Sequence, residues 1–291
     1  MPVNVAGTGA ERDDRPRVGV CSWSLQPGSA LELAERVREC GLDAMQLALD
    51  PLRTGALPKP EVRAALEEAG IVILSGMMAM AGEDYSTLAS IRRTGGVVPD
   101  ATWAENVAAA AANARLARAP GIGLVTFHAG FVPPAAEDPR RGTLVARVAA
   151  LARCFAREGV AVALETGQEG EDTLLELLAE LDAAGAGDVG VNLDPANLIL
   201  YGMGDPVAAL RRLAPFVRQV HIKDAVPAVQ AGEWGTEVPV GEGAVDWRSF
   251  FRALQDARLG VDLVIEREAG DRRVADVRGA RALVERLLSE S

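Results

Sequence analysis

The chain of 291 residues carries a formal net charge of −11 at neutral pH, and 49% of its residues are hydrophobic while only 4% are aromatic. This acidic balance, without a basic stripe, disfavours a nucleic-acid binder, and no apolar run approaches the ~18 residues of a membrane span. Three cysteines, Cys21, Cys40 and Cys154, have neither paired nor CxxC spacing, which argues against a disulfide framework or a structural zinc site. We therefore expect a soluble, cytoplasmic protein that acts on small molecules.

Residues 1–16 lack the basic and apolar regions of an export signal and are predicted to form a short flexible N-terminal arm. After this arm, short apolar runs of strand type alternate with helical stretches eight times. In chain order the strand runs are RVGVCS, DAMQLAL, IVILSG, GLVTFH, VAVALE, VGVNLD, VRQVHIK and DLVIE. Helix starts are indicated by capping-box spacing or by an Asp-Pro pair. These starts are Ser29-x-x-Glu32, Thr102-x-x-Glu105, Asp138-Pro139 and Asp205-Pro206.

Eight strand–helix units over 17–291, with no Pro/Gly-rich linker between them, predict a single α/β domain, a (β/α)8 TIM barrel. Two half-size domains are the weaker alternative. No G-x-G-x-x-G follows the first strand run, so we predict no nucleotide cofactor.

The last four strand runs each end in an ionisable residue. These residues are Glu165, Asp194, His221 and Glu266. A single strand-end acid can cap the following helix, but four consecutive strands return these groups to the same rim of a barrel. Three carboxylates and one imidazole favour Mn²⁺, with Mg²⁺ or Co²⁺ as alternatives. The pattern predicts a metal site at this rim.

Five stretches carry a resemblance to a known family. They are ALETGQEGEDTLLELL, VGVNLDPANLILYG, VRQVHIKDA, PVGEGAVDW and VIEREAG. In this order they resemble the sugar phosphate isomerase/epimerase family of xylose-isomerase-like TIM barrels, which contains the ketose 3-epimerases. The resemblance implies that Glu165, Asp194, His221 and Glu266 bind the metal and that the two glutamates also serve as catalytic acid and base.

The activity implied by the resemblance is that of a metal-dependent sugar or sugar phosphate epimerase or isomerase, most closely a ketose 3-epimerase acting through an enediolate. Dehydration of an inosose, aldose–ketose isomerisation and cleavage of 3-keto-glycosides remain alternatives on the same site. A sugar-binding barrel without turnover, or a partner-dependent subunit, is the non-enzymatic alternative. The resemblance also implies a homodimer or a homotetramer.

Five further residues are predicted to contact the substrate. Glu171 lies where related epimerases place a second carboxylate, although it also fits a helix start. Asn197 stands where some ketose epimerases carry a substrate-contacting histidine, and His128 closes the fourth strand run. Lys223 shares strand parity with His221 and should point inward. Trp23, just beyond the first strand run, offers an apolar wall for a sugar or a packing contact.

Two long loops are candidate lids over the rim. The loop at 225–245 is rich in Gly and Pro, and long loops of this kind often close over active sites. The loop at 83–100 contains Arg92 and Arg93, which would either face a phosphate or remain solvated.

Overall fold

The eight predicted strand runs all form strands, and these strands close into one parallel barrel. A computed structural model describes residues 16–230 and 232–290, so residues 1–15 of the predicted arm lie outside the described residues. The strands are β1 (Val18–Cys21), β2 (Ala44–Ala48), β3 (Val72–Met77), β4 (Leu124–Phe127), β5 (Ala161–Glu165), β6 (Val189–Leu193), β7 (Val217–Ile222), β8 (Asp224–Val226), β9 (Thr236–Val238) and β10 (Asp262–Ile265). Around the barrel the order is β1-β10-β7-β6-β5-β4-β3-β2, while β8 and β9 form a separate antiparallel hairpin. The predicted (β/α)8 fold is confirmed.

Eleven α-helices connect these strands within the described residues. They are α1 (Ala30–Glu39), α2 (Asp50–Thr54), α3 (Lys59–Glu68), α4 (Leu88–Thr94), α5 (Asp100–Arg118), α6 (Pro139–Ala156), α7 (Glu171–Ala183), α8 (Pro195–Leu200), α9 (Pro206–Leu213), α10 (Trp247–Asp256) and α11 (Arg273–Ser289). Their apolar faces and the outward-facing strand residues form one continuous core. Among the described helices, none combines the length and apolar character needed to cross a membrane.

Three of the four predicted helix starts are confirmed by their caps. The side chains of Ser29, Asp138 and Asp205 accept hydrogen bonds from the first-turn backbone amides of α1, α6 and α9. The fourth prediction is wrong, because α5 begins at Asp100 and Thr102 lies inside its first turn.

The predicted lid at 225–245 is built on the β8–β9 hairpin and is anchored at its base by Asp224. The buried Asp224 carboxylate accepts hydrogen bonds from four backbone amides, one in β8 and three within 241–245, and from the indole N–H of Trp247. A Cβ on Gly243 would lie 2.0 Å from the Asp224 carboxylate, so the approach of this backbone requires glycine. The base of the loop is therefore held in place by one side chain.

Candidate metal centre and active site

The four predicted metal ligands converge at the carboxyl end of the barrel. One potential ligand atom from each of Glu165, Asp194, His221 and Glu266 lies within 4.8 Å of the other three. All four residues are buried, with between 0% and 5% of their surface exposed. Neighbouring strands β5, β6, β7 and β10 carry them, which is why their ends meet at one point.

The imidazole of His221 lies at the centre of this cluster. Its Nδ1 atom is 3.3 Å from Oε2 of Glu266, 3.5 Å from Oε1 of Glu165 and 3.8 Å from Oδ2 of Asp194. Both His221 Nδ1 and Asp194 Oδ2 are buried without a hydrogen-bond partner. Buried polar atoms rarely lack a partner unless an ion or ligand supplies it. The donor set and these two unpaired atoms therefore fit a divalent cation that prefers oxygen ligands.

Asp194 both caps the helix that follows its strand and faces the ligand cluster. Its Oδ1 atom accepts hydrogen bonds from the backbone amides of Ala196 and Asn197 at the start of α8. Its Oδ2 atom has no hydrogen-bond partner and faces the cluster. The cap fixes the rotation of the carboxylate, so that the second oxygen is available to a cation.

Each of the two glutamates is oriented by further donors. Oε1 of Glu165, which faces His221, accepts from the side-chain amide of Asn197 at 3.0 Å and lies 3.5 Å from Nε2 of His128. Glu266 Oε1 accepts from the indole N–H of Trp23 at 2.8 Å. Asn197 and Trp23, both predicted substrate contacts, are thus engaged with the two glutamates.

The other ring nitrogen of His221, Nε2, makes a buried contact with the side chain of Gln46. Oε1 of Gln46 lies 2.8 Å from His221 Nε2, and the Gln46 side-chain amide donates to Thr126 Oγ1 and to the carbonyl of Gly76. The amide of Asn192 also approaches Nε2, at 3.0 Å. The two contacts of its own amide orient Gln46 so that its oxygen faces Nε2, which favours the tautomer with the proton on Nε2. In that tautomer Nδ1 presents its lone pair to the cluster.

The sequence reasoning missed a polar layer beneath the ligands. It consists of buried side chains inside the barrel: Gln46, Ser75, Thr126, Asn192 and Gln219. The amide of Gln219 donates to Asn192 Oδ1 at 3.2 Å, and Ser75 donates to Gln219. Asn192 and Gln219 lie two positions before the predicted ligands Asp194 and His221. Because alternate residues of a strand face the same side, this spacing could have indicated that both side chains point into the barrel.

Lys223 is buried beside the ligands, as its parity predicted, and its ammonium group lies close to three carboxylates. Its Nζ atom lies 3.0 Å from Glu266 Oε2, 3.8 Å from Asp194 Oδ2 and 2.5 Å from Glu268 Oε2. Burial disfavours the ammonium form, but the carboxylates of Glu266, Glu268 and Asp194 outweigh it and hold the pKa of Lys223 well above its usual value. A permanently charged lysine is a poor Schiff-base nucleophile. Glu268, which the sequence analysis did not single out, is therefore part of the site.

His128 lies at the rim, as predicted, with 16% of its side chain exposed. Burial would lower its pKa, but the charges of Glu165 and other nearby glutamates raise the pKa above the usual value. Glu171 is the half-buried first residue of α7, and its predicted substrate contact stays a prediction. The buried acid in this loop is Glu169, whose pKa burial raises to about 8.

The two predicted lid loops meet through aromatic side chains. Tyr85 in the first loop and Trp234 in the second lie with ring centroids 6.3 Å apart, and Trp234 also contacts Tyr201 at 5.6 Å. Both loops leave the carboxyl ends of barrel strands. Burial and the charges of nearby groups, including Glu165 and Glu268, raise the pKa of Tyr85. These aromatic residues therefore lie on the same side of the barrel as the metal centre.

Three structural neighbours share the whole fold. A xylose isomerase domain protein from Planctomyces limnophilus has a TM-score of 0.84 and 31% identity, with 95% of this chain and 98% of that chain covered. A xylose isomerase-like TIM barrel protein from Mycobacterium smegmatis in complex with magnesium has a TM-score of 0.71 and 19% identity (94% and 97% covered). D-allulose 3-epimerase from Methylomonas sp. has a TM-score of 0.70 and 15% identity (94% and 98% covered).

A search of curated protein sequences finds no match to this chain. The family model described as xylose isomerase-like TIM barrel matches residues 34–289, which include all four clustered ligands. The chain therefore belongs to the xylose isomerase-like TIM barrel family.

Proposed function

We propose that the protein is a divalent-metal-dependent sugar epimerase or isomerase, of the ketose 3-epimerase type. The observation that carries this proposal is the convergence of Glu165 and Glu266 on one buried imidazole from different sides of the barrel. Their strands β5 and β10 are three steps apart among eight, or roughly 135° around the axis. Two carboxylates that approach a carbon from different sides suit the inversion of a stereocentre.

Glu165, Asp194, His221 and Glu266 would hold the cation, with Mn²⁺ favoured and Mg²⁺ or Co²⁺ as alternatives. When bound, it would act as a Lewis acid that acidifies the hydrogen beside a sugar carbonyl and stabilises the negative charge of the enediolate. The buried, unpaired atoms Asp194 Oδ2 and His221 Nδ1 support this assignment. The bound magnesium of the Mycobacterium smegmatis neighbour is consistent with it.

The protein's own groups would carry out the proton transfers. One glutamate takes the proton from the carbon beside the carbonyl, and the C–H electron pair passes into the enediolate. The other carboxyl group delivers a proton to the opposite face of that carbon, which inverts the centre. Asn197 and Trp23 hold the two carboxylates by hydrogen bonds. In this proposal His128 and Lys223, which lie beside Glu165 and Glu266, would bind substrate oxygens.

Deuterium exchange tests this proposal directly. Chelator-treated protein is reloaded with Mn²⁺ and incubated in D₂O with a panel of ketoses, keto-inositols and 3-keto-glycosides, and products are identified by NMR. We expect deuterium at an inverted carbon of a ketose, and no incorporation with Glu165→Gln or Glu266→Gln. Glu68→Gln is the matched control, because this exposed glutamate on α3 lies outside the ligand cluster.

The outcomes separate the related reactions. Retained exchange in both glutamine variants would rule out the two-base scheme. Loss of water or of a glycosidic group from the product would identify a dehydratase or a lyase. Sugar binding without any proton exchange would identify a binding protein.

A further inference from the structure

A cavity of about 760 Å³ opens between the loops that follow β3, β4 and β5, the last of which begins directly after the ligand Glu165. Small-molecule pockets typically measure roughly 300–1,000 Å³ and enclose drug-sized ligands. The cavity therefore has room for a substrate group beyond the carbons that undergo reaction. Its wall includes Phe131 and Met203, which gives it an apolar side.

The cavity has a positive lining in a protein that is strongly acidic overall. Arg92, Arg93 and Arg140 line it, against one acidic residue, Glu169. Arg140 is paired with Asp138, whereas neither Arg92 nor Arg93 forms an ion pair among the described residues. The Arg92 guanidinium lies 4.9 Å from the centroid of the Phe131 ring, and this cation–π contact holds it at the cavity wall. Arg93 also interacts electrostatically with Asp84, which lies outside the lining. Arg92 is therefore the freer of the two positive charges at the cavity.

The loop that follows the ligand Glu165 gives the cavity a polar wall. Gln168 and Glu169 line it and follow the ligand Glu165 by three and four residues in the same loop. Each has a buried side-chain oxygen without a hydrogen-bond partner. Burial raises the pKa of Glu169 to about 8, so this acid does not cancel the arginine charges at neutral pH. Neutral polar groups of this kind suit sugar hydroxyls.

The start of α7 adds backbone donors to the same cavity. Gly170 and Thr173 line it, and the first turn of this 13-residue helix has no side-chain cap. Unpaired amides at a helix start favour a negatively charged group. The acidic residues of that turn, Glu171 and Asp172, do not belong to the lining.

We propose that this cavity binds an anionic group, a phosphate ester or a carboxylate, on the part of the sugar that projects away from the metal. The assignment of the remainder of the ligand as a sugar rests on the proposed function. The anion site itself rests only on Arg92, Arg93 and the surrounding lining. The preferred substrate is accordingly an acidic keto sugar, and a neutral ketose is a poorer one.

Binding of inorganic phosphate to chelator-treated protein tests the anion site without catalysis. Phosphate is titrated at constant ionic strength against the wild type and the double variant Arg92→Gln/Arg93→Gln, with ³¹P NMR line broadening as the readout. Arg252→Gln is the matched control, because this exposed arginine on α10 lies outside the cavity. We expect saturable binding to the wild type and the control, at least tenfold weaker in the double variant and restored in Arg92→Lys/Arg93→Lys. Equal affinities in all proteins, or no saturable binding to the wild type, would overturn the proposal.

Two further arms identify the anion and separate this proposal from the first. Titration with acetate in place of phosphate shows whether a carboxylate binds more tightly, and either order is compatible with the site. With active enzyme, kcat/KM is compared for a ketose phosphate and its free ketose. The ratio should fall about tenfold in Arg92→Gln/Arg93→Gln and stay unchanged in Arg252→Gln. Phosphate binding without any turnover would refute only the epimerase, whereas turnover with an unchanged ratio would refute only the anion site.

Discussion

Oε1 of Gln46 lies 2.8 Å from Nε2 of His221, deep inside the barrel, where it can accept a hydrogen bond from that nitrogen. Partners of this kind fix the tautomer of a metal-binding histidine, and their loss typically costs about 10–100-fold in metal affinity. We therefore predict that Gln46→Leu weakens Mn²⁺ binding by about this factor, while Gln46→Glu, which keeps an acceptor, weakens it less. Titration calorimetry measures both, with the exposed Gln255→Leu as control. Equal affinity in Gln46→Leu and the wild type would contradict the assigned role.

Removal of the cation should lower the thermal stability of the protein. A ligand that binds only the folded state stabilises it by about 2.7 kcal/mol at a concentration one hundred times its Kd. We expect a chelator to lower the Tm by several degrees and Mn²⁺ to restore it. Asp194→Asn should abolish this response while keeping the start of α8, because asparagine caps helices as well as aspartate does. Asp256→Asn, an exposed change on α10, should keep the full response; a metal-dependent Tm in Asp194→Asn would argue against this ligand.

The stability of the protein should fall as the pH rises toward 8 because of Glu169. Burial raises its pKa from 4.5 to about 8, so the folded state binds more protons than the unfolded state between these values. This contribution to the free energy of unfolding is fully present below about pH 4.5 and declines by at most about 1.4 kcal/mol per pH unit above it. Glu169→Gln should remove this part of the slope. Urea unfolding at pH 5.5, 6.5 and 7.5 measures it, and identical slopes in both proteins would disprove the assignment.

Asp224 should be among the most important single residues for the stability of the β8–β9 region. Its carboxylate accepts five hydrogen bonds in a buried site, and the loss of charged hydrogen bonds there leaves several donors unpaired. We predict that Asp224→Ala lowers the free energy of unfolding by about 3 kcal/mol. Asp246→Ala, which removes only the exposed cap of α10, should cost about 1 kcal/mol. Urea unfolding compares the two, and similar losses would show that the Asp224 network contributes little.

The fold and the ligand cluster were predictable because both depend on regular periodicity. Strand-end residues on consecutive parallel strands must share one rim, so the positions of Glu165, Asp194 and His221 could be read from their spacing. The contact between Gln46 and His221 could not, since it joins residues 175 positions apart whose distance depends on how the barrel closes. A single polar residue in an apolar strand does not reveal its partner.

The loop after β5 shows a second limit of the sequence reasoning. The resemblance pointed to Glu171 as a second carboxylate or a helix start, and it did not single out Glu169, which is the buried acid of this loop. Gly167 adopts a φ of 142°, and a Cβ there would lie 2.3 Å from the Asn197 Cβ. This close approach to α8 turns the loop sharply, so residues further along it point in directions that a count of positions does not provide.

Asp194 connects the start of α8 to the ligand cluster. One oxygen of this carboxylate accepts a hydrogen bond from the first turn of α8, and the other faces the cluster. The same turn carries Asn197, whose side-chain amide donates a hydrogen bond to Glu165. A rotation of this carboxylate toward a cation would therefore also move the start of α8 and the amide that orients Glu165. Binding of the proposed cation and the orientation of the proposed base would then depend on one side chain.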